Sequence, residues 1–465
     1  MTMLAISRQR TALLPPFTTR TLFLHRSFSN SARMMGRQDT VHPPWLQLIL
    51  QDQTPPKTLY AWTAANLASR TQQDAIPSPD DLDRRIFILG IGNMGRFYAS
   101  CLAKIPQAPP ITLVVHRREL LQQWEDGRGI EITRNGIIEA NKSFDIEWWT
   151  DTRPEHGPVR EVVGGKHIKN LLITTKASVA LPEADKLRSY LNQTSTVAFA
   201  HNGMSKMWPP YGPMYVAHRY NIGAAPSFIS CITTHGVTSL GPFKSLHASP
   251  ADAVVGPVLP SARAAASTGY LMDQITCGPH LDSRLVDRRE LWVLQLEKLV
   301  VNSTINPLTA LLRCKNGALF TETDGPISQV MDKLLEEASG VLQALIHDQS
   351  SVDILSDSPS DDTATTDLEA TRQHLNERFS QPRLRAMLHR VGAMVAENTS
   401  SMLQDIRAGK ELEIRDFNGW LVDMAAYLGH EVNAPCHQAL VTLVEEKAVL
   451  TAEDLRTHLL GPPRP

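Results

Sequence analysis

The sequence predicts an α/β fold, with a Rossmann-type N-terminal domain built on a parallel sheet, followed by an all-α C-terminal domain. Short apolar strands alternate with helical stretches from Arg84 to about Thr268, the βαβ rhythm of a parallel sheet. A glycine-rich turn follows the first strand, and helical periodicity replaces strand signals from about Tyr270. The predicted strands are Ile86 to Leu89, Ile111 to Val115, Leu171 to Thr175, Thr196 to Ala200 and Ala253 to Val258.

Length and composition agree with more than one domain. A chain of 465 residues with 42% hydrophobic content can bury two cores. We divide it into a leader, residues 1–38; a Pro-rich extension, 39–83; a dinucleotide-binding domain, 84–268; and a helical domain, 269–465, with a disordered acidic insertion at 348–369.

Three segments fall outside the strand and helix pattern. The extension is expected to lie on the surface or stay extended, with a possible short helix at Tyr60 to Arg70. The segment Trp208 to Tyr220 contains three prolines and is predicted to be a loop near the cofactor cleft. Residues 348–369 hold too few apolar side chains to fold and are predicted to form a solvated loop.

The leader carries six arginines and no acidic residue before Asp39. An Arg-rich, Ser-rich, acid-poor N-terminus is typical of a mitochondrial transit peptide and predicts the mitochondrial matrix; a basic surface tail, with the protein in the cytoplasm, is the alternative. Without the leader the formal net charge changes from −2 to −8. The negative net charge of the chain without its leader argues against nonspecific nucleic-acid binding, because neutralisation of phosphates by basic residues supplies most of that affinity.

Membrane insertion and metal binding are also unexpected. No apolar run approaches the ~18 to 20 residues that span a bilayer. The five cysteines form no C-x-x-C pair and do not cluster with histidines, so neither a zinc site nor a disulfide framework is expected.

The glycine turn lies between an apolar strand and a helix-like segment. In a G-x-G-x-x-G turn the first glycine allows the bend, the second lets the backbone approach a pyrophosphate, and the third lets the helix pack on the strand. The turn therefore predicts a dinucleotide site. The expected contacts are Gly90, Ile91, Gly92, Asn93, Met94 and Gly95.

The end of the next strand indicates which dinucleotide is used. The strand Ile111 to Val115 is followed by His116, Arg117 and Arg118, where an NAD-dependent protein would hold an acid against the ribose 2′-hydroxyl. Guanidiniums at this point favour a 2′-phosphate and hence NADPH. The alternative is an ordinary solvated helix start, which the neighbouring Glu119 keeps open.

A polar stripe marks the helical domain. Lys298, Asn302 and Asn306 are four residues apart, so they share one face of a helix that Pro307 is expected to end or kink, and Asn316 follows. Burying unpartnered amides or charges is costly, so such a stripe has a polar guest or faces water. Apolar residues on the other faces favour the guest over a solvated surface.

With these pieces the chain resembles the ketopantoate reductase (2-dehydropantoate 2-reductase) family over roughly residues 84 to 450. The resemblance rests on motifs in the right order. Besides the glycine turn and Arg117, they are the strand ending in Lys176, the Asn202-Gly turn, the spacing of Lys298, Asn302, Asn306 and Asn316, the serine motif with Asn398 and Ser401, and the segment that begins at Glu413.

The chemistry of 2-keto acid reduction fits these residues. Hydride reaches the ketone carbon, and the Lys298 ammonium can stabilise the oxygen charge and donate a proton. The resemblance gives its counterpart that role and implies that Glu413 contacts the cofactor ribose or the lysine, although a surface carboxylate is equally open. Lys176 and Asn202 would contact the cofactor, unless they merely cap strands. Carboxamides and a hydroxyl would hold the substrate: Asn302, Asn306, Asn316, Asn398 and Ser401.

The resemblance thus implies an NADPH-dependent enzyme that reduces the small molecule 2-dehydropantoate to pantoate, towards pantothenate and coenzyme A. A homodimer is compatible with this interpretation. One alternative is a reductase of another branched 2-keto acid. The other is a catalytically retired dehydrogenase fold that serves as a mitochondrial RNA or translation factor.

Overall fold

The computed structural model describes residues 42–67, 80–356, 364–429 and 431–462. The predicted leader, residues 1–38, lies outside the described residues, as do 68–79 of the extension and 357–363 of the acidic insertion. The described chain consists of a sheet half followed by a helical half.

The sheet half is built on a nine-stranded mixed sheet in the order β1-β6-β3-β2-β7-β8-β9-β12-β13, with a second sheet in the order β10-β11-β4-β5. The strands are β1 Tyr60–Trp62, β2 Ile86–Leu89, β3 Ile111–Val115, β4 Ile130–Arg134, β5 Ile137–Asn141, β6 Asp145–Thr150, β7 Asn170–Ile173, β8 Thr196–Phe199, β9 Ser227–Thr233, β10 Gly236–Gly241, β11 Lys244–Ser249, β12 Ala253–Leu259 and β13 Ser283–Leu285.

The six central strands of the large sheet, β6-β3-β2-β7-β8-β9, are parallel to one another. When these six strands are numbered by their order in the chain, their order across the sheet is 3-2-1-4-5-6, which is the doubly wound Rossmann order. The strand order reverses between β2 and β7, so a cleft forms at the carboxyl ends of these two strands. In such sheets that is the place where ligands bind.

The helical half packs around two long helices, α7 (Arg288–Leu312) and α8 (Pro326–His347). Apolar residues of α8 recur every three or four positions, and Val330, Leu334, Ala338 and Leu342 are fully buried. None of the described helices is long and apolar enough to cross a membrane. The helices are α1 Pro44–Gln51, α2 Asn93–Leu102, α3 Glu119–Asp126, α4 Ala177–Lys186, α5 Tyr211–Arg219, α6 Ala265–Cys277, α7 Arg288–Leu312, α8 Pro326–His347, α9 Val352–Leu355, α10 Ala364–Arg378, α11 Gln381–Met394, α12 Ser401–Arg407, α13 Trp420–Leu428, α14 Pro435–Glu445 and α15 Ala452–Leu460.

The fold class is as predicted, and all five predicted strands are present with ends that shift by at most two residues. The sheet is mixed rather than purely parallel, because the predicted strand at Ala253–Leu259 runs antiparallel to β9. The boundary at residue 268 is wrong. It falls inside α6, and β13 beyond it pairs with β12, so the sheet half ends just before α7.

The Pro-rich extension is integrated into the sheet half, which corrects the expectation of a surface segment. Tyr60–Trp62 is a strand that pairs antiparallel with β6, and the helical part of the described residues 60–67 is a 3-10 helix of three residues, Ala64–Asn66. Leu46 and Ala61 are fully buried. Both residues belong to the main hydrophobic core, so their burial holds the extension against the sheet half despite its proline-rich composition.

The segment predicted as a loop at Trp208 to Tyr220 contains helix α5. Tyr211 and Tyr215 are almost fully buried, and Pro213 lies in the first turn, where its missing N–H is harmless. The ring of Trp45 in α1 packs edge-on against that of Tyr211, with 5.7 Å between their centroids. The extension and this insertion therefore pack on each other.

Helix α7 continues through Pro307 to Leu312, so the prediction that Pro307 ends or kinks it is wrong about the ending. Proline has no N–H to donate to the carbonyl of Ser303, four residues earlier. The buried side chain of Asn418 replaces it, with Nδ2 donating to Ser303 O at 2.9 Å. A side chain from a distant segment thus keeps the helix intact.

The acidic insertion is partly folded, which corrects the prediction of a disordered loop over 348–369. Ser351 and Leu355 are buried in a short 3-10 helix, Gln349–Ser351, and in α9. Asp353 forms an ion pair with Arg288 at the start of α7, with 2.6 Å between Oδ2 and Nη1. Two buried apolar residues, Ile354 and Leu355, fix a segment whose average composition is polar.

Replacing Asn418 with alanine should lower the free energy of unfolding by about 1–3 kcal/mol, because the Ser303 carbonyl is left buried without a donor. Urea or thermal unfolding measures the loss. The matched control is Gln438→Ala, at an exposed position of α14, which should change stability by no more than about 0.5 kcal/mol. Equal stability of the two variants would contradict the role of Asn418.

Candidate active site

The glycine turn has the geometry expected of a phosphate-binding turn. Gly90 has φ +96°, a conformation that side chains disfavour. A Cβ on Gly95 would lie 2.3 Å from the Gly90 carbonyl oxygen, so helix and strand touch there. A Cβ on Gly92 would meet nothing within 4 Å. The open space beside Gly92, at the N-terminus of α2, fits an approaching pyrophosphate.

The other predicted contacts in this turn have structural roles. Asn93 Nδ2 donates to Val237 O at 3.1 Å, and its Oδ1 accepts from Arg96 Nη2 at 2.8 Å, so this side chain fastens the second sheet to α2. Ile91 and Met94 pack against the apolar core of the sheet half. Of Asn93, only the backbone remains available to a phosphate.

A cavity of about 1010 Å³ opens at the carboxyl ends of β2, β3 and β7. Gly90, His116 and Lys176 line it, so the ends of these three strands converge there. Arg118 lies over the ring of Trp62, 5.5 Å from its centroid. Arg117 is exposed, and the described residues offer its guanidinium no hydrogen bond or ion pair.

Lys176 links the two halves of the protein. Its Nζ lies 2.8 Å from Asp405 Oδ2 in α12, and it also donates to the carbonyl oxygen of Glu411. The predicted cofactor lysine is therefore engaged by the helical half at one edge of the cavity. A phosphate or ribose that used this ammonium would compete with Asp405.

Lys298, Asn202 and Glu413 form a continuous hydrogen-bonded chain, so the structure brings together three residues that are far apart in sequence. Lys298 Nζ donates to Thr233 O at 2.6 Å and to Asn202 Oδ1 at 3.2 Å. Asn202 Nδ2 in turn donates to Glu413 Oε2 at 3.3 Å. Helix α7, the turn after β8 and the segment before α13 each supply one of them.

Burial favours the uncharged forms of Lys298 and Glu413. It lowers the pKa of Lys298 to about 8, although the charges of Glu413 and Asp252 act in the opposite direction. Burial also raises the pKa of Glu413, against the influence of Lys176 and Asn202. An ammonium with a pKa near 8 can release a proton at neutral pH, as an acid catalyst must.

The predicted substrate residues fall into two groups. Asn302 and Asn306 continue the Lys298 face of α7, and neither side-chain amide bonds to another described residue, although Asn306 is 7% exposed. Asn316 is buried, with Nδ2 donating to Val395 O at 3.2 Å and Oδ1 without a partner among the described residues. Asn398 and Ser401 have exposed side chains, and the backbone carbonyl oxygen of Asn398 accepts from the Asn316 N–H at 3.1 Å.

Sequence reasoning missed Gln295, which is 2% exposed and holds α7 against the sheet half. Its Nε2 donates to Gly203 O at 3.0 Å, and its Oε1 accepts from Trp208 Nε1 at 2.6 Å. It lies three residues before Lys298, so the polar stripe itself pointed to it. It also missed Ser400, whose Oγ caps α12 where Ser401 had been expected to act.

No group of three or more His, Cys, Asp and Glu side chains among the described residues is placed to hold a metal ion. The polar groups near Lys298 are its ammonium, carboxamides and the Glu413 carboxylate, and the glycine turn adds backbone N–H groups. These groups suit an organic ligand that carries oxygen acceptors and negative charge.

Comparison with known proteins gives consistent results along the chain. The family model described as ketopantoate reductase PanE/ApbA matches residues 86–260, and the model of its C-terminal domain matches residues 290–448. A ketoisovalerate reductase of Beauveria bassiana is 44% identical, covering 90% of this chain and 99% of its own length. A ketoisovalerate reductase of Gibberella fujikuroi is 45% identical over 87% of this chain and 96% of its own.

More distant relatives share the same framework. A probable 2-dehydropantoate 2-reductase of Schizosaccharomyces pombe is 26% identical over 78% of this chain and 96% of its own. Among solved structures, a D-mandelate dehydrogenase in a ternary complex with NADH and anilino(oxo)acetate superposes with a TM-score of 0.54. It is 17% identical over 78% of this chain and 98% of its own, which shows a common fold.

Two glycine variants should separate phosphate binding from folding. Gly92→Ala adds a methyl group that touches no protein atom, so thermal stability should stay near that of the wild type while NADPH affinity falls at least tenfold. Gly95→Ala places its Cβ against the Gly90 carbonyl oxygen and should lower the melting temperature. Unchanged NADPH affinity in Gly92→Ala would contradict the assignment of this turn.

Proposed function

Because the chain belongs to the ketopantoate reductase family, we propose that it reduces the branched 2-keto acid 2-ketoisovalerate to its 2-hydroxy acid, with NADPH as the reductant. The relatives that share 44–45% identity are named ketoisovalerate reductases, whereas the probable 2-dehydropantoate 2-reductase shares 26%. These relatives support the substrate. The site geometry supports the chemistry.

The observation that carries the proposal is the coordination of Lys298. An ammonium has three donor protons, and among the described residues two of them are directed to Thr233 O and Asn202 Oδ1. The third is left for a substrate oxygen. A bound nicotinamide supplies the hydride. Lys298 neutralises the charge that develops on the ketone oxygen and gives it a proton.

Glu413 acts on Lys298 through Asn202. Its carboxylate favours the charged form of the lysine and so opposes the effect of burial on the pKa. Its hydrogen bond with Asn202 also orients the carboxamide that accepts from Lys298. Glu413 is therefore a positioning residue in the free protein, where nothing shows it against a reacting atom.

Asn302 and Asn306 are placed to bind the substrate carboxylate. Their amides have no partners among the described residues, and they lie one and two helical turns beyond Lys298 on the same face. A carboxylate held there would present the adjacent ketone towards the lysine. Neutral amides bind a carboxylate without cancelling the ammonium charge that the reaction uses.

The preference for NADPH is supported by the end of β3. Arg118 is occupied by Trp62, so Arg117 is the guanidinium that remains for a 2′-phosphate. No acidic side chain occupies the first three positions after the strand, where an NAD-binding protein would hold one. A bidentate contact to phosphate suits arginine.

Reduction of 2-dehydropantoate to pantoate is the second candidate. It is favoured by the buried Oδ1 of Asn316, which has no partner among the described residues and could accept from the hydroxyl group that distinguishes this substrate. A site built for that hydroxyl would reject 2-ketoisovalerate strongly, because its polar atom would stay unpaired. The two substrates therefore give clearly different outcomes.

The decisive assay is oxidation of NADPH and NADH by the purified protein with 2-ketoisovalerate, 2-dehydropantoate and pyruvate. We expect the highest kcat/KM for 2-ketoisovalerate with NADPH. A tenfold or greater preference for 2-dehydropantoate would replace the first substrate with the second. No turnover of any keto acid would leave a catalytically retired binding protein as the better account.

The pH profile should report Lys298 directly. Reduction requires its charged form, so kcat/KM should be constant below about pH 7 and fall as pH rises through about 8. Glu413→Gln removes a charge that raises the pKa, and should therefore move this fall to lower pH. Lys298→Ala should lower kcat by about 10²- to 10⁴-fold while NADPH still binds. A wild-type profile that is flat to pH 10 would exclude Lys298 as the proton donor.

A further inference from the structure

The cavity at the carboxyl ends of β2, β3 and β7 has an outer wall that does not belong to the dinucleotide-binding domain. The wall is made by residues 52–59 of the extension, which we call the strap. Every strap residue except Gln53 and Thr58 lines the cavity, together with Gly90 and His116 on the inner side. The strap thus faces the place where a Rossmann domain receives the adenosine half of its cofactor.

One end of the strap is tied to helices α4 and α5. Arg219, whose side chain is 6% exposed, lies between Asp52 and Asp185, with 2.9 Å from Nη2 to Asp52 Oδ2 and 3.0 Å from Nη2 to Asp185 Oδ2. Arg188 Nη2 donates to the carbonyl oxygen of Thr54 at 2.6 Å. A nearly buried arginine shared by two carboxylates is a firmer attachment than an exposed ion pair.

The other end is tied to the opposite side of the cavity. Lys57 Nζ lies 2.7 Å from Asp151 Oδ2, just after β6. Leu59 is buried, and its N–H donates to Tyr190 Oη at 3.0 Å. The chain then enters β1 and pairs with β6. The strap is held on both sides, so it bridges the cavity as a fixed wall.

The middle of the strap, between these attachments, presents two apolar rings to the cavity. Pro55 and Pro56 line it, and both are exposed in the structure. Proline has no N–H, so this stretch crosses the opening with fewer backbone donors to satisfy. Val115, Val179 and Leu187 also line the cavity. An apolar lining next to the end of β3, where a Rossmann domain binds the cofactor ribose, suits the flat faces of a purine base.

We propose that the strap is part of the cofactor site, where Pro55 and Pro56 cover the adenine base and complete the adenosine half of the pocket. This inference rests on the proposed use of a nicotinamide dinucleotide. It extends that function, because the strap lies outside residues 86–260 and 290–448, the parts of the chain that match the family models.

The strap should affect binding without affecting chemistry. Neither Lys298 nor Asn202 lines the cavity, which ends at Lys176, Lys410 and Glu411 on the side of the helical half. Changes in the strap should therefore weaken adenosine-containing ligands and leave the nicotinamide end unaltered. If the strap served only to cover the sheet edge, substitutions in it would change stability and leave the affinity for both the adenosine and the nicotinamide ends of the cofactor unchanged.

The test uses two tryptophan substitutions in the same strap. Pro56→Trp adds bulk to the cavity wall, and Thr58→Trp adds it at an exposed position that does not line the cavity. Calorimetry measures the dissociation constants of NADPH, of 2′,5′-ADP and of reduced nicotinamide mononucleotide. We expect Pro56→Trp to weaken NADPH and 2′,5′-ADP at least tenfold and to leave the mononucleotide unchanged. Thr58→Trp should shift none of them more than twofold.

A second variant covers the case in which Pro56→Trp does not fold. The double change Pro55→Gly with Pro56→Gly removes both rings without adding bulk, and should weaken 2′,5′-ADP at least threefold. Wild-type affinity for 2′,5′-ADP in a folded proline variant, or equal losses in Thr58→Trp, would overturn the role of the strap. A wild-type protein that bound neither NADPH nor 2′,5′-ADP would overturn the cofactor proposal, and the strap inference with it.

Discussion

The docking of α7 onto the turn that follows β8 is the interaction on which the rest of the site depends. Gln295 joins Gly203 and Trp208 in the core, and Lys298, one turn later, reaches Asn202 and Thr233. These hydrogen bonds fix both the distance and the rotation of the helix relative to the sheet. Because Asn302 and Asn306 follow on the same face, their positions are set by the same contacts.

The same docking explains why a charged side chain is tolerated at this depth. An ammonium removed from water loses solvation, and here a carbonyl oxygen, a carboxamide oxygen and the nearby charge of Glu413 replace part of it. The replacement is incomplete, so Lys298 releases its proton more readily than an exposed lysine. Structural attachment and acid strength are therefore two effects of one arrangement.

Sequence reasoning succeeded where the signal is local. The strand, turn and helix around Gly90, Gly92 and Gly95 follow from short-range backbone geometry, and the spacing of Lys298, Asn302 and Asn306 follows from the helical period. It failed where the deciding partner is remote. The donor that lets α7 pass Pro307 comes from Asn418, 115 residues after the carbonyl it serves. The extension was expected to lie on the surface or stay extended because its pairing with β6 depends on residues about 90 positions later.

The attachments of the strap also constrain the order in which the molecule can be assembled. Its residues leave the ribosome before their partners, because Asp151 lies 94 positions after Lys57, and Arg219 lies 167 positions after Asp52. The wall of the cavity can close only after β6 and α5 have been synthesised and have reached their places. Until β6 has been made, β1 has no strand to pair with and β3 is an open edge of the nascent sheet, so this is the period in which pairing with another chain is least hindered.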